Sequence, residues 1–312
     1  MRLITCSDCL RHEVPRGFPE RPERLESLLC WFGARQGWEL IEVAADPAVE
    51  TWILRVHPAN YLERFRQAVE RLDRGTLDTS DNPISPGTFL AALGAATAAV
   101  HAVERVLSGE LQPTMAAVRP PGHHAERSQA MGFCFFNNIA VMAERALADP
   151  RIRRVAIVDF DVHHGNGTQH LFEERSDVAF WSLHQYPFYP GTGAEQERGR
   201  GVGFGYTRNV PLPAGCDDRA YLRAWESMVL PELEAYAPDL VLVSAGFDAW
   251  RGDPLGGMCL TERTFSVLGS QLAGIALRFA EGRMVSVLEG GYDVDALPRL
   301  VESFLLGCAE PT

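Results

Sequence analysis

Short apolar runs alternate with helical patterns along this chain, and that alternation limits its possible folds more than any other feature. The runs fall at residues 3–4, 40–43, 114–118, 155–162, 178–183, 240–243 and 284–288. Between them, apolar spacing predicts helices over 88–107, 138–147, 218–236, 262–280 and 296–306, often with Pro or Gly at their ends. Strands that alternate with helices build a parallel sheet, because each connection must cross back over it. The stretch 155–158 is apolar at every position, as expected of a strand covered on both faces. The expected fold class is therefore α/β: a single domain over 1–312 with a central parallel sheet and helices on both faces. At 312 residues and 46% hydrophobic composition there is enough material for such a core.

Other features narrow the reading. The segments 73–86 and 186–213 are the long connections expected to shape a site mouth. Gly199-Arg-Gly-Val-Gly-Phe-Gly205 does not follow a strand into a helix, so it reads as a loop and not as a dinucleotide-binding turn. Seven scattered cysteines argue for reduced thiols, and Cys6-Ser-Asp-Cys9 lacks the second pair a zinc knuckle needs. Neither a membrane span nor a secretion signal is evident, so the expected location is cytoplasmic. The formal charge is −12 and every one of the 29 basic residues is Arg. That balance disfavours nucleic acid as a partner and favours cationic or basic-peptide substrates at long range.

Polar residues just past the apolar runs should converge, because open α/β sheets bind ligands beyond the carboxyl ends of their strands. After 114–118 comes Arg119-Pro-Pro-Gly-His123-His124; after 155–158 come Asp159, Asp161, His163 and His164. After 240–243 comes Ser244-Ala-Gly-Phe-Asp248, and after 284–288 comes Glu289-Gly-Gly-Tyr292. If the strand at 155 runs on to 162, side chains two apart share a face, so Asp161 and His163 can chelate one ion. With Asp248 they form a three-ligand metal site with an open position, as in catalytic zinc centres. A water held there becomes a nucleophile near neutral pH. His123 and His124 supply a base and an acid, Asp159 and Asn166 the acceptors that orient them, and Tyr292 a donor to an oxyanion. Taken singly, each residue has an ordinary role as cap, core or surface group. Their joint appearance at strand ends is what carries the assignment.

The motifs Arg119-Pro-Pro-Gly-His-His-Ala125, Gly132-Phe-Cys-Phe-Phe-Asn-Asn138, Asp159-Phe-Asp-Val-His-His-Gly-Asn-Gly167, Tyr189-Pro-Gly-Thr-Gly193, Ser244-Ala-Gly-Phe-Asp-Ala249, Asp253-Pro-Leu-Gly-Gly257 and Glu289-Gly-Gly-Tyr292 strongly resemble the zinc-dependent histone deacetylase family. The branch they resemble is class II, beside bacterial deacetylase-like and acetylpolyamine amidohydrolases. The resemblance covers nearly the whole chain and implies the arginase/deacetylase fold and hydrolysis of an N-acetyl amide, acetyl-lysine above all. Acetylpolyamines and longer acyl-lysines are the alternative substrates, so the implied partner is an acetylated lysine peptide or protein, or an acetylated small amine. It places one Zn2+ per chain on Asp161, His163 and Asp248. Asn166 stands where class I members carry Asp. Gly132, Phe133, Tyr189 and Leu255 are implied to line the acyl channel. Family members also bind K+: Asp159, Asp161, His163, Ser182 and Leu183 match an inner site, and Phe172, Arg175, Val178 and Tyr206 an outer one. Phe18 replaces a His common in the family, which makes the entrance more apolar. Leu255 stands where a polyamine-selective relative has Glu, which favours acyl-lysine.

Two other classes fit the sequence less well. A two-metal ureohydrolase would place a third ligand where this chain has Gly165, and a non-enzymatic binding module would show a degenerate site, which no recognised position here does.

Overall fold

The computed structural model describes residues 1–71 and 74–312, so Asp73, where the expected connection 73–86 begins, lies outside them. The strands are β1 (Arg2–Thr5), β2 (Glu39–Glu42), β3 (Gly75–Thr76), β4 (Pro83–Ile84), β5 (Thr114–Ala116), β6 (Val155–Asp159), β7 (Val178–Gln185), β8 (Thr207–Leu212), β9 (Leu240–Ala245) and β10 (Met284–Leu288). Eight of them form one sheet in the order β2-β1-β5-β10-β9-β6-β7-β8, while β3 and β4 pair antiparallel apart from it. Every pairing in the large sheet is parallel.

This order decides where the chemistry sits. The chain leaves a gap between β5 and β6 that its last two strands fill, β9 beside β6 and β10 between β9 and β5. The four central strands therefore end side by side, and they are the four whose ends carry the polar motifs. β5, β6, β7 and β9 are buried at every position, in keeping with their apolar runs. Helix Thr88–Leu107 is long and apolar enough to cross a membrane, but most of it is buried against the sheet, where its alanines allow close packing.

The structure departs from the sequence expectations in specific places. The apolar run 155–162 is not one strand: β6 stops at Asp159. Beyond it, backbone N–H groups turn from strand partners to carboxylates, Asp161 N donating to Asp159 Oδ1 (3.1 Å), Val162 N to Asp248 Oδ1 (2.8 Å) and His163 N to Asp161 Oδ1 (2.9 Å). Asp161 and His163 thus converge through tight turns and not through strand alternation. The expected helix 218–236 is broken by a π turn at Trp225–Val229, just before Pro231, which cannot continue an ordinary hydrogen-bond ladder. The expected connection 186–213 contains β8, an edge strand whose Arg208, Asn209 and Pro211 hide it from an apolar-run reading. Helices Glu23–Gly33, Glu50–Val56, Ala59–Arg71 and Asn166–Phe172 were not anticipated.

Candidate active site

Asp161, His163 and Asp248 are all buried, and one ligand atom from each lies within 4.8 Å of the others. His163 Nδ1 is 3.0 Å from Asp161 Oδ1 and 3.1 Å from Asp248 Oδ2. Burial opposes a charge on His163, but these carboxylates outweigh it and raise its pKa to about 9. Burial and the neighbouring Asp161 push the Asp248 carboxyl upward. Both effects have one cause: two carboxylates share a dry site, and no arginine bonds to either among the described residues. The backbone completes the cradle, with Gly290 N donating to Asp161 Oδ2 (2.7 Å). A Cβ on Gly290 would lie 2.1 Å from Asp248 Oδ2, so only glycine lets the chain come this close. One imidazole and two carboxylates with surplus negative charge fit a divalent cation of the zinc type.

Beside this cluster the rings of His123 and His124 lie 4.0 Å apart and are oriented by different partners. His123 Nδ1 meets Asp159 Oδ2 at 2.9 Å, and His124 Nδ1 meets Asn166 Oδ1 at 2.7 Å. Burial works against charge on His123, yet Asp159 and Asp161 more than offset it and lift its pKa to about 10. Burial and the positive field of His123 hold His124 well below the ordinary imidazole value. Two adjacent imidazoles thereby sit in environments that push their pKa values apart, the arrangement an acid and base pair needs. Asn166 Nδ2 donates to Glu126, which turns the amide oxygen toward His124. That oxygen only accepts, so His124 carries its proton on Nδ1 and presents a bare Nε2.

Aromatic groups wall the approach. Phe188 stacks on His163 with centroids 5.3 Å apart, and Tyr189 stands edge-on to His124 at 5.1 Å. Phe133 meets Tyr292 edge-on at 5.9 Å and Phe18 at 5.0 Å, so Phe18 makes the rim apolar there. Asp81 Oδ2 accepts from Gly132 N (3.1 Å) and Tyr189 Oη (3.0 Å), tying together the two connections expected at the mouth. Asp253 joins the Leu255 turn to the Tyr292 turn, accepting from Leu255 N at 2.9 Å and Tyr292 N at 2.6 Å. Burial pushes the Tyr292 phenol well above its ordinary value, so it remains a donor.

Sequence reasoning missed Phe188, Asp81, Glu126, Glu20 and Arg24, and it placed Arg119 and Glu289 at strand ends without giving them a role. Glu289 Oε2 accepts from Gly122 N (2.6 Å) and His123 N (3.1 Å), fixing the loop that carries both histidines. Arg119 grips Glu20 through Nε (3.0 Å) and Nη2 (2.8 Å), while Arg24 reaches Glu20 (3.2 Å) and the Gly291 carbonyl (2.7 Å) and lies 4.8 Å from the Tyr292 ring centroid. The position of Phe188 next to Tyr189 and the strand-end places of Arg119 and Glu289 were the available signals; the pairings themselves act across distances in sequence that no local pattern records.

The residues matched to cation sites fall into two groups. Asp159 pairs in register with Ser182, Leu183 follows on β7, and Asp161 and His163 lie just past β6, so the inner set is contiguous. The outer set lies toward the amino end of β7: Arg175 N donates to the Phe172 carbonyl (2.9 Å), Phe180 N to that of Tyr206 (2.8 Å), and Val178 opens the strand. The cysteines are free thiols, Cys6 and Cys9 both buried, as the sequence led us to expect.

The histone deacetylase domain model matches residues 18–308. The histone deacetylase-like amidohydrolase of Pseudomonas aeruginosa is 44% identical over 281 residues, which cover 90% of this chain and 73% of that protein. A probable deacetylase of Archaeoglobus fulgidus is 38% identical over 300 residues, 95% of this chain and 82% of that one. The crystal structure of the HDA15 HD domain superposes with a TM-score of 0.90 at 35% identity, covering 98% of this chain and 91% of that chain.

Proposed function

Because the chain belongs to the histone deacetylase family and is thus a hydrolase of the deacetylase type, we propose that it removes acetyl groups from lysine side chains by zinc-dependent hydrolysis. The observation that carries this reading is the buried Asp161–His163–Asp248 cluster lying beside two imidazoles, His123 oriented by Asp159 and His124 by Asn166. When bound, the zinc supplies a Lewis acid and a water of lowered pKa. The protein's own groups do the rest. His124, neutral with Nε2 free, accepts the proton of the attacking water. His123, kept protonated by Asp159, holds positive charge beside the reacting carbonyl and is a proton source for the departing amine. Tyr292 donates to the oxyanion as the carbonyl carbon becomes tetrahedral. Phe133, Phe188 and Tyr189 cover the aliphatic stem of the substrate and exclude water. The inner cation set, beside Asp159, would take a K+ ion.

Gly165 favours one metal over two. A Cβ there would lie 2.3 Å from Asp159 Oδ2, so a third carboxylate at this position would displace the group that orients His123. Acetylpolyamine or longer-acyl hydrolysis is the second reading, and Leu255 weighs against the polyamine, offering no carboxylate to a second substrate cation. Side-by-side kcat/KM values on an acetyl-lysine peptide, a long-chain acyl-lysine peptide and an acetylpolyamine test the choice. A higher value for either competitor overturns acetyl-lysine as the substrate.

A further inference from the structure

At the amino ends of β6, β7 and β8, away from the site described above, a cleft of about 430 Å3 opens between the sheet and helix Leu230–Tyr236. Tyr206, Tyr236 and Trp181 wall it, with the Tyr236 ring 5.9 Å from Tyr206 and 5.7 Å from Trp181. Arg154 and Arg198 stand at its mouth, and the Arg154 guanidinium lies 5.9 Å from the Tyr236 ring centroid. Among the described residues neither arginine side chain is in an ion pair or a side-chain hydrogen bond. That sets them apart from the neighbouring Arg175, which Asp177 and Glu144 engage, and Arg208, which lies 3.6 Å from Glu232. Glu232, the one acid lining the cleft, accepts from Trp181 Nε1 at 3.2 Å.

Arg198 is held in place by the glycine-rich loop that the sequence set apart without a role. Gly205 N donates to the Arg198 carbonyl (2.7 Å), and Arg200 N to that of Glu173 (2.6 Å). Gly199 sits at φ +86, where a Cβ would lie 2.3 Å from the Gly203 carbonyl, and a Cβ on Gly203 would lie 2.4 Å from that of Glu173. These contacts fix the Arg198 backbone, and with Arg154 against the Tyr236 ring a chain of net charge −12 lines an aromatic cleft with two arginines that no acid engages among the described residues. The cleft is of the size that holds small molecules, and guanidinium beside aromatic faces is suited to a ring that carries an anion.

We propose that this cleft binds an aromatic anion, its ring against Tyr206 and Tyr236 and its carboxylate or phosphate on Arg154 and Arg198. A nucleoside monophosphate and an aryl carboxylate share that chemistry. Titration of the intact protein with AMP, with 4-hydroxybenzoate and with inorganic phosphate, followed by calorimetry, separates them. Saturable binding of AMP or 4-hydroxybenzoate at least tenfold tighter than phosphate is expected, and the tighter of the two identifies the source. The double variant Arg154→Ala/Arg198→Ala weakens that binding at least tenfold while deacetylation without ligand is unchanged. Ala235→Trp, which fills the cleft and keeps both arginines, also abolishes it. Equal affinity for inorganic phosphate, no binding of either aromatic probe at millimolar concentration, or undiminished binding in Ala235→Trp overturns the proposal.

Discussion

Two clusters of buried charge lie close together in this fold, and they are neutralised by opposite means. In the first, Glu20 is gripped by Arg119 and Arg24, and all three side chains are fully buried. Burial opposes the Glu20 charge, but the arginines more than offset it and hold the carboxyl at about 2. In the second, Asp161 and Asp248 share the His163 imidazole, Asp161 also lies 3.9 Å from His123 Nε2, and no arginine pairs with either among the described residues. The first cluster is complete within the chain and joins the amino-terminal segment to the ends of β5 and β10. The second has no arginine partner, and that deficit fits it for the added cation proposed above. Buried charge is thus structural or functional according to whether the protein supplies its own counter-ion.

The comparison can be broken by experiment. Asp248→Ala should eliminate stoichiometric zinc and all turnover; full zinc content by elemental analysis would remove Asp248 from the ligand set. Arg119→Met should instead act on folding, costing about 3–5 kcal/mol because it leaves Glu20 buried without its main partner. In that variant the zinc content of the folded fraction should match the parent. Chelation should destabilise the parent protein, by about 4 kcal/mol relative to protein in free zinc at roughly 1,000 times its Kd. Unfolding curves that coincide with and without chelator would show that the second cluster needs no cation.

Smaller effects sharpen the contrast. Tyr292→Phe should lower kcat by about 10²–10³ with zinc binding unchanged, since the phenol acts on the oxyanion and not on the metal. Glu20 predicts a pH signature for the first cluster. Its folded pKa is depressed from 4.5 to about 2, so its contribution is complete above the unfolded value and is lost as pH falls from 4.5 toward 2. The stability gap between parent and Glu20→Gln in urea should therefore narrow with acidification below about pH 4.5, and a gap that widens there would contradict the assignment.

How much could be read beforehand differs by region for a physical reason. β1, β5, β7, β9 and β10 lie within or around their apolar runs, and helices Thr88–Leu107 and Asn138–Leu147 have the bounds that spacing predicted. Burial on both faces demands an unbroken apolar signal, and that signal is local. β8 pairs on one side only and tolerates Arg208, Asn209 and Pro211, so its sequence resembles a loop. Helix Ala59–Arg71 buries only Tyr61, Leu62, Phe65 and Val69 among many charged residues, and it went unread.

The site divides in the same way. The residues proposed as ligands and catalytic groups were legible as candidates because open sheets collect chemistry at strand ends, and each motif follows its strand directly. What the sequence alone determined is therefore the α/β class, the family resemblance and the set of reactive side chains. The tertiary structure decided the strand order that brings four distant motifs together, and the turn after Asp159 that aims Asp161 and His163 at Asp248. It also decided which charges find partners within the chain. Those outcomes depend on contacts between residues as far apart as Glu20 and Arg119, or Arg24 and Gly291, and no local periodicity encodes them.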